Sequence, residues 1–74
     1  MDSIQIRDEF IKLGQALKLA GLVDSGVEAK EVITSGKVKV NGEVQIQRVK
    51  KIVDGDIVTY NGKQFKVIGN HLLS

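Results

Sequence analysis

Apolar side chains recur at two different periods along the chain, and the period changes near residue 36. Leu13, Ala16, Leu17 and Ala20 stand at i, i+3, i+4 and i+7, the spacing that gathers residues on one face of an α-helix. Gly21 follows where a left-handed residue would end that helix. A second helix is announced by Ser25-Gly26-Val27-Glu28, which has the form of a capping box. The serine hydroxyl can accept the Glu28 amide while the Glu28 carboxylate reaches back to the amide of Ser25. Ala29, Val32 and Ile33 make its core face, and Gly36 again stands where a helix stops. Upstream of the first helix, the segments SIQI and FIKL read as extended.

Beyond Gly36 the pattern alternates, as in GKVKVNGEV. Residues directly opposite one another in a sheet share a face, so the register of a hairpin can be tested by parity. A two-residue Asn41-Gly42 loop would set Val40 against Glu43 and Val38 against Gln45, apolar against polar. A three-residue loop sets Val40 against Val44, Val38 against Ile46, Lys39 against Gln45 and Lys37 against Gln47, and this register is expected, with glycine left-handed at a bulge. The second Asn-Gly behaves differently. A two-residue loop at Asn61-Gly62 pairs Val58 with Phe65 and keeps Phe65 and Val67 inward. Between the hairpins runs RVKKIVDGD, a basic connection ending in the turn signal Asp54-Gly55-Asp56. The predicted fold class is α+β: two short helices packed on a small, mainly antiparallel sheet of about four to five strands. Residues 1–74 are expected to form one domain, with no repeat or linker dividing them.

Composition narrows the chemistry. A chain of 74 residues has room for one core, since a fold of this size buries only about 60% of its unfolded surface. It has no cysteine, so disulfides, thiolate metal sites and cysteine nucleophiles are all excluded. The single histidine, His71, cannot build a transition-metal site or a Ser/His/Asp arrangement, and no glycine-rich phosphate loop precedes a helix. Asp54 and Asp56 read as turn formers. No enzyme, cofactor, metal or small-molecule substrate is therefore expected. The opening MDSIQIRDEF lacks an apolar core of signal-peptide length, and no segment approaches the ~18 apolar residues that span a bilayer. A cytoplasmic protein without a membrane partner is the expectation.

The net charge of +2 says little, but its distribution says more. Residues 1–36 carry four cations against six acids, whereas residues 37–74 carry seven against three. Lys37, Lys39, Arg48, Lys50 and Lys51 fall within fifteen residues that contain one acid, Glu43. Like charges so clustered repel one another unless an anionic polymer meets them. On the second helix Gly26, Lys30 and Thr34 follow at i+4 intervals, away from Glu28 and Glu31. The amides of Gly26 and Val27 could accept a phosphate at the positive helix end, with Lys30 one turn along; equally, Ser25 simply caps and Lys30 is solvated. Only Phe10, Tyr60 and Phe65 are aromatic, and parity buries Phe65. Folded or duplex RNA, held through phosphates and 2′-hydroxyls, thus suits the chain better than unstacked single strands.

The ordered landmarks Leu17, Gly21-Leu22, Ser25, Ala29, Ile33, Gly36, Val38, Val40-Asn41-Gly42 and Gly55-Asp56 resemble the S-four RNA-binding domain, also called the alpha-L motif, over roughly residues 10–60. In combination they are quite specific, and the chain looks like a small stand-alone bacterial member. The resemblance implies binding to structured RNA, ribosomal or transfer RNA, through the two helices and the following hairpin, in association with the ribosome. By position it makes Ser25, Lys30, Lys37, Lys39, Asn41, Arg48, Lys50 and Lys51 the RNA-facing candidates, to which the amides at the start of the second helix add Gly26. Two positions depart from the family pattern: Gly26 stands where an arginine often follows the motif serine, and Lys12-Leu13-Gly14 where Arg-Leu-Asp opens the first helix. The alternatives are a protein-interaction module docking on a ribosome-associated partner, and helix-turn-helix DNA binding. The latter would bring Glu28 and Glu31 against phosphates.

Overall fold

The computed structural model describes residues 2–69; His71 and its neighbours in the C-terminal tail lie outside the described residues. The element order is β1 (Asp2–Gln5), β2 (Ile11–Lys12), α1 (Leu13–Leu19), α2 (Gly26–Thr34), β3 (Val38–Val40), β4 (Glu43–Val44), β5 (Lys51–Ile52), β6 (Ile57–Tyr60) and β7 (Lys63–Ile68). Five strands form one sheet in the order β1-β7-β6-β3-β4, and β2 pairs with β5 in a separate two-stranded ribbon. Only the β1–β7 pairing is parallel among the pairings of the larger sheet; the rest are antiparallel. The short strands are thus divided between two sheets, where the pattern predicted one.

Both helices end as their glycines require. The amide of Leu22 donates to the Leu17 carbonyl and that of Gly21 to Lys18; after α2, Lys37 donates to Val32 and Gly36 to Ile33. Each is a Schellman motif, closed by a residue at positive φ: Gly21 at 77° and Gly36 at 78°. Leu13, Ala16 and Leu17 of α1 and Ala29 and Ile33 of α2 are buried against Ile4, Val38, Ile52, Val58, Phe65 and Val67, so the helices cover one face of the sheet. The other face, which carries Lys39, Thr59 and Gln64 in one cross-strand row, has no helix on it among the described residues.

Three local expectations are corrected. The first hairpin closes through a two-residue loop: Val40 pairs with Glu43 and Lys39 with Val44. Asn41 and Gly42 both lie at positive φ, 52° and 86°, as a primed turn needs. Parity misled because it assumed that Val44 and Ile46 are buried, whereas they are 54% and 59% exposed. β4 is a two-residue strand at the edge of the sheet, beyond the reach of the helices, so burial exerts no pull on its register and turn chemistry decides it. The capping box is also altered. The Ser25 hydroxyl accepts from the Glu28 amide at 3.1 Å, but the Glu28 carboxylate accepts from Asp24, at 2.8 Å, and not from Ser25. Finally, FIKL is extended only at Ile11 and Lys12; Leu13 already belongs to α1.

The turn after β5 behaves as its acids predicted. Asp56 accepts the Val53 amide and the Asn41 side-chain amide, and Asp54 accepts the Gly69 amide at 2.8 Å. A Cβ on Gly69 would stand 2.9 Å from the Asp54 Cβ, so this approach requires glycine.

Candidate nucleic-acid interface

The start of α1 organises the site. Its N-cap, Lys12, offers no side-chain cap, so the first amides of the helix need other acceptors. The carbonyls of Lys50 and Arg48 supply them, accepting from Leu13 at 2.9 Å and Gly14 at 3.0 Å. The basic connection is therefore pinned by its backbone across the positive end of α1, leaving its cationic side chains free to project. The same end has no acidic residue in its first turn. Here α1 comes close to α2: a Cβ on Gly14 would lie 3.8 Å from that of Ala29.

Along this seam runs a groove of about 180 Å³, lined by Lys12, Gln15 and Lys18 from α1 and its entry, Gly26 and Ala29 from α2, and Arg48 and Val49 from the connection. Lys51 lies directly across the β2–β5 ribbon from Lys12, on the same face. Like charges in that relation are destabilising. Lys51 Nζ sits 4.8 Å from the centre of the Phe10 ring, a cation–π contact that partly offsets the repulsion. Among the described residues, no carboxylate forms an ion pair with Lys12, Lys18, Arg48 or Lys51. Three segments distant in sequence thus place unneutralised cations around one seam.

Of the residues expected at the interface, Gly26 and Arg48 line this groove, and Lys51 flanks it through Lys12. Ser25 caps α2 and Lys30 stands exposed one turn along from Gly26. A Cβ on Gly26 would meet nothing within 4 Å, so the first turn of α2 is open to solvent. Lys37 is exposed at the passage from α2 to β3. Lys50 turns toward the first hairpin, where it lines a second cavity of about 280 Å³ with Asn41, Glu43 and Gln45. The Asn41 side chain is committed to the fold: its amide donates to Asp56 and its oxygen accepts the Ile57 amide, both at 2.9 Å. Lys39 is not brought to the groove, since it projects from the helix-free face of the sheet beside Thr59 and Val44.

Lys12 and Lys18, which line the groove, are not among the positions expected from the sequence. Their signal was the polar run Lys12, Gln15, Lys18 at i, i+3 and i+6, the flank of α1 beside its buried stripe. The two departures from the family pattern, Gly14 and Gly26, both line the same groove. They replace an acid and a base together, so the charge of the groove is little altered while its walls are lowered.

Two short helices on a mixed sheet, with cations gathered where the helices begin, define a domain of the alpha-L class. The chain belongs to the S4 domain family, whose family model matches residues 4–68. It is 40% identical over 58 residues to the candidate RNA-binding protein YbcJ of Escherichia coli (strain K12), a match covering 78% of this chain and 83% of that one. It is 42% identical over 59 residues to RlbA of Bacillus subtilis (strain 168), named as a candidate ribosome maturation protein, covering 80% and 83%. The solution structure of E. coli YbcJ, described as revealing an alpha-L motif involved in RNA binding, superposes with a TM-score of 0.72 at 35% identity, over 92% of this chain and 87% of that one. The fold also matches the 30S ribosomal protein S4e of Thermoplasma acidophilum, with a TM-score of 0.65 at 25% identity, over 85% of this chain and 33% of the larger one.

Proposed function

We propose that this protein is a non-catalytic, cytoplasmic module that binds structured RNA, ribosomal RNA in the first instance, along the seam between α1, α2 and the basic connection. The observation that carries the reading is the groove in which Lys12, Lys18 and Arg48 stand together without carboxylate partners, with Lys51 beside Lys12. Lys30 and Lys37 extend the positive surface along α2 and past its end. A duplex presents phosphates at regular spacing and needs no aromatic platform, which fits a surface of lysine and arginine. The names of the relatives, an RNA-binding protein and a ribosome maturation protein, support the same partner. Among the described residues no group of three or more His, Cys, Asp or Glu could hold a metal ion, and no helix is long and apolar enough to cross a membrane.

Salt dependence tests the reading. With five phosphate contacts, from Lys12, Lys18, Lys30, Arg48 and Lys51, the logarithm of affinity for a folded RNA falls with the logarithm of salt at a slope of roughly −4. An affinity unchanged between low and moderate salt removes the groove as the binding surface.

One observation favours a second reading, docking on a protein partner at the ribosome. Val44, Ile46 and Val49 of the arm beyond β3 are each more than half exposed. Such apolar side chains on a protruding segment suit a protein contact. Nuclease treatment of a cell extract separates the two readings: association through RNA is lost, and association through the arm survives.

A further inference from the structure

On the other flank of α1 lies a separate, widely open hollow of about 540 Å³, walled by Gln5 at the end of β1, by Arg7, Asp8 and Phe10 of the segment between β1 and β2, and by Gln15 and Lys18 of α1. Gln15 and Lys18 also line the basic groove, so the two hollows adjoin across the helix. The chemistry of this hollow is distinct from that of the groove. Phe10 is 37% exposed and takes no part in the hydrophobic core, although burial would favour an aromatic ring. Lys51 stacks over the ring at 4.8 Å but does not line the cavity, so the ammonium holds the ring in place while another part of it faces the hollow. Arg7 and Lys18 supply positive charge at the walls, and Gln5, Gln15 and the Asp8 carboxylate supply donors and acceptors.

We infer that this cavity receives one unpaired nucleobase of the bound RNA, stacked against Phe10, with its edge met by Asp8 or a glutamine amide and its flanking phosphates by Arg7 and Lys18. The inference rests on the groove as the seat of the adjoining duplex and adds what the groove lacks, a preference for a stem interrupted by a bulged nucleotide. A base has a π-face whatever its identity, so stacking selects an unpaired nucleotide before it selects a sequence. Extrusion from a duplex costs least where the base is already unpaired.

The test uses two RNA probes, a fully paired duplex and the same duplex with one bulged 2-aminopurine, against the wild-type chain, Phe10→Leu and Arg48→Ala. Phe10→Leu keeps apolar bulk at a position outside the core, and a thermal melt matching wild type confirms the fold. The wild type is expected to bind the bulged probe on the order of tenfold more tightly and to quench its fluorescence by stacking. Phe10→Leu, which also releases Lys51 from the ring, then loses the quenching and binds the two probes with equal affinity. Arg48→Ala weakens both probes alike. Equal wild-type affinities for the two probes, or a gain that survives Phe10→Leu, overturn the base pocket and leave the groove standing. A wild-type chain that binds neither probe overturns the groove and the pocket together.

Discussion

The two hairpins turn on the same dipeptide and live in opposite surroundings. Asn41-Gly42 and Asn61-Gly62 both adopt the primed turn, with φ of 52° and 86° in the first and 54° and 76° in the second. The second joins β6 to β7, where Val58, Phe65 and Val67 are buried beneath the helices. The first joins β3 to an edge strand whose one apolar residue, Val44, faces solvent. Burial holds the second hairpin in register, so its asparagine need only tolerate a left-handed backbone. The first is held by polar chemistry, because Asn41 ties the turn to Asp56 and to the start of β6. The comparison separates the duties of the two regions. The second hairpin lies wholly in the core sheet; the first has one core strand, β3, and an anchored outer arm that leads into the basic connection.

The largest expected effect breaks the core side of this comparison. Phe65→Ala removes a fully buried ring and is expected to cost about 3–5 kcal/mol, most of the stability of a domain this small, read as a collapse of the urea midpoint. On the arm side the largest effect is on binding. Arg48→Ala with Lys51→Ala should weaken folded RNAs of differing sequence alike and lower the salt slope by about two, whereas Lys63→Ala with Lys66→Ala, an equal change of charge in the second hairpin, should leave the slope nearly unchanged. A similar loss from both pairs would mean that net charge, and not its placement, drives binding.

Between the turns the contrast is smaller. Asn41→Ala loses two hydrogen bonds as well as a residue tolerant of positive φ, whereas the Asn61 side chain makes no hydrogen bond among the described residues. Asn41→Ala should therefore cost about 1–2 kcal/mol more than Asn61→Ala in paired denaturation curves. Equal costs would show that the backbone conformation alone fixes the arm. The smallest effect belongs to Val44→Ser with Ile46→Ser. These exposed positions should change stability by no more than about 0.5 kcal/mol, and a larger loss would mean that the arm packs more tightly than its exposure indicates.

Much of the fold was legible because local rules and burial agreed. The spacing of Leu13, Ala16 and Leu17, the Ser25 cap, the glycines after both helices and the pairing of Val58 with Phe65 each express a constraint that acts within a few residues or across one buried strand pair. Where the two kinds of rule conflict, parity points to the wrong register. At the first hairpin, parity demanded burial of Val44 and Ile46, and Asn-Gly demanded a tight turn; the edge position of β4 removed the first demand. The charge asymmetry was equally legible as a count, but a count carries no direction. Lys39, in the middle of the basic stretch, faces away from the helices, and Lys12 and Lys18, from the acidic half of the chain, line the groove.

By itself, the order of residues determined two capped helices, two Asn-Gly turns and a basic connection, because caps, turns and period are set by neighbours along the chain. The tertiary structure decided which cations meet. The backbone carbonyls of Arg48 and Lys50 had to find the uncapped amides at the start of α1 before residues more than thirty positions apart could share one seam, and that closure depends on the whole fold holding both segments in place.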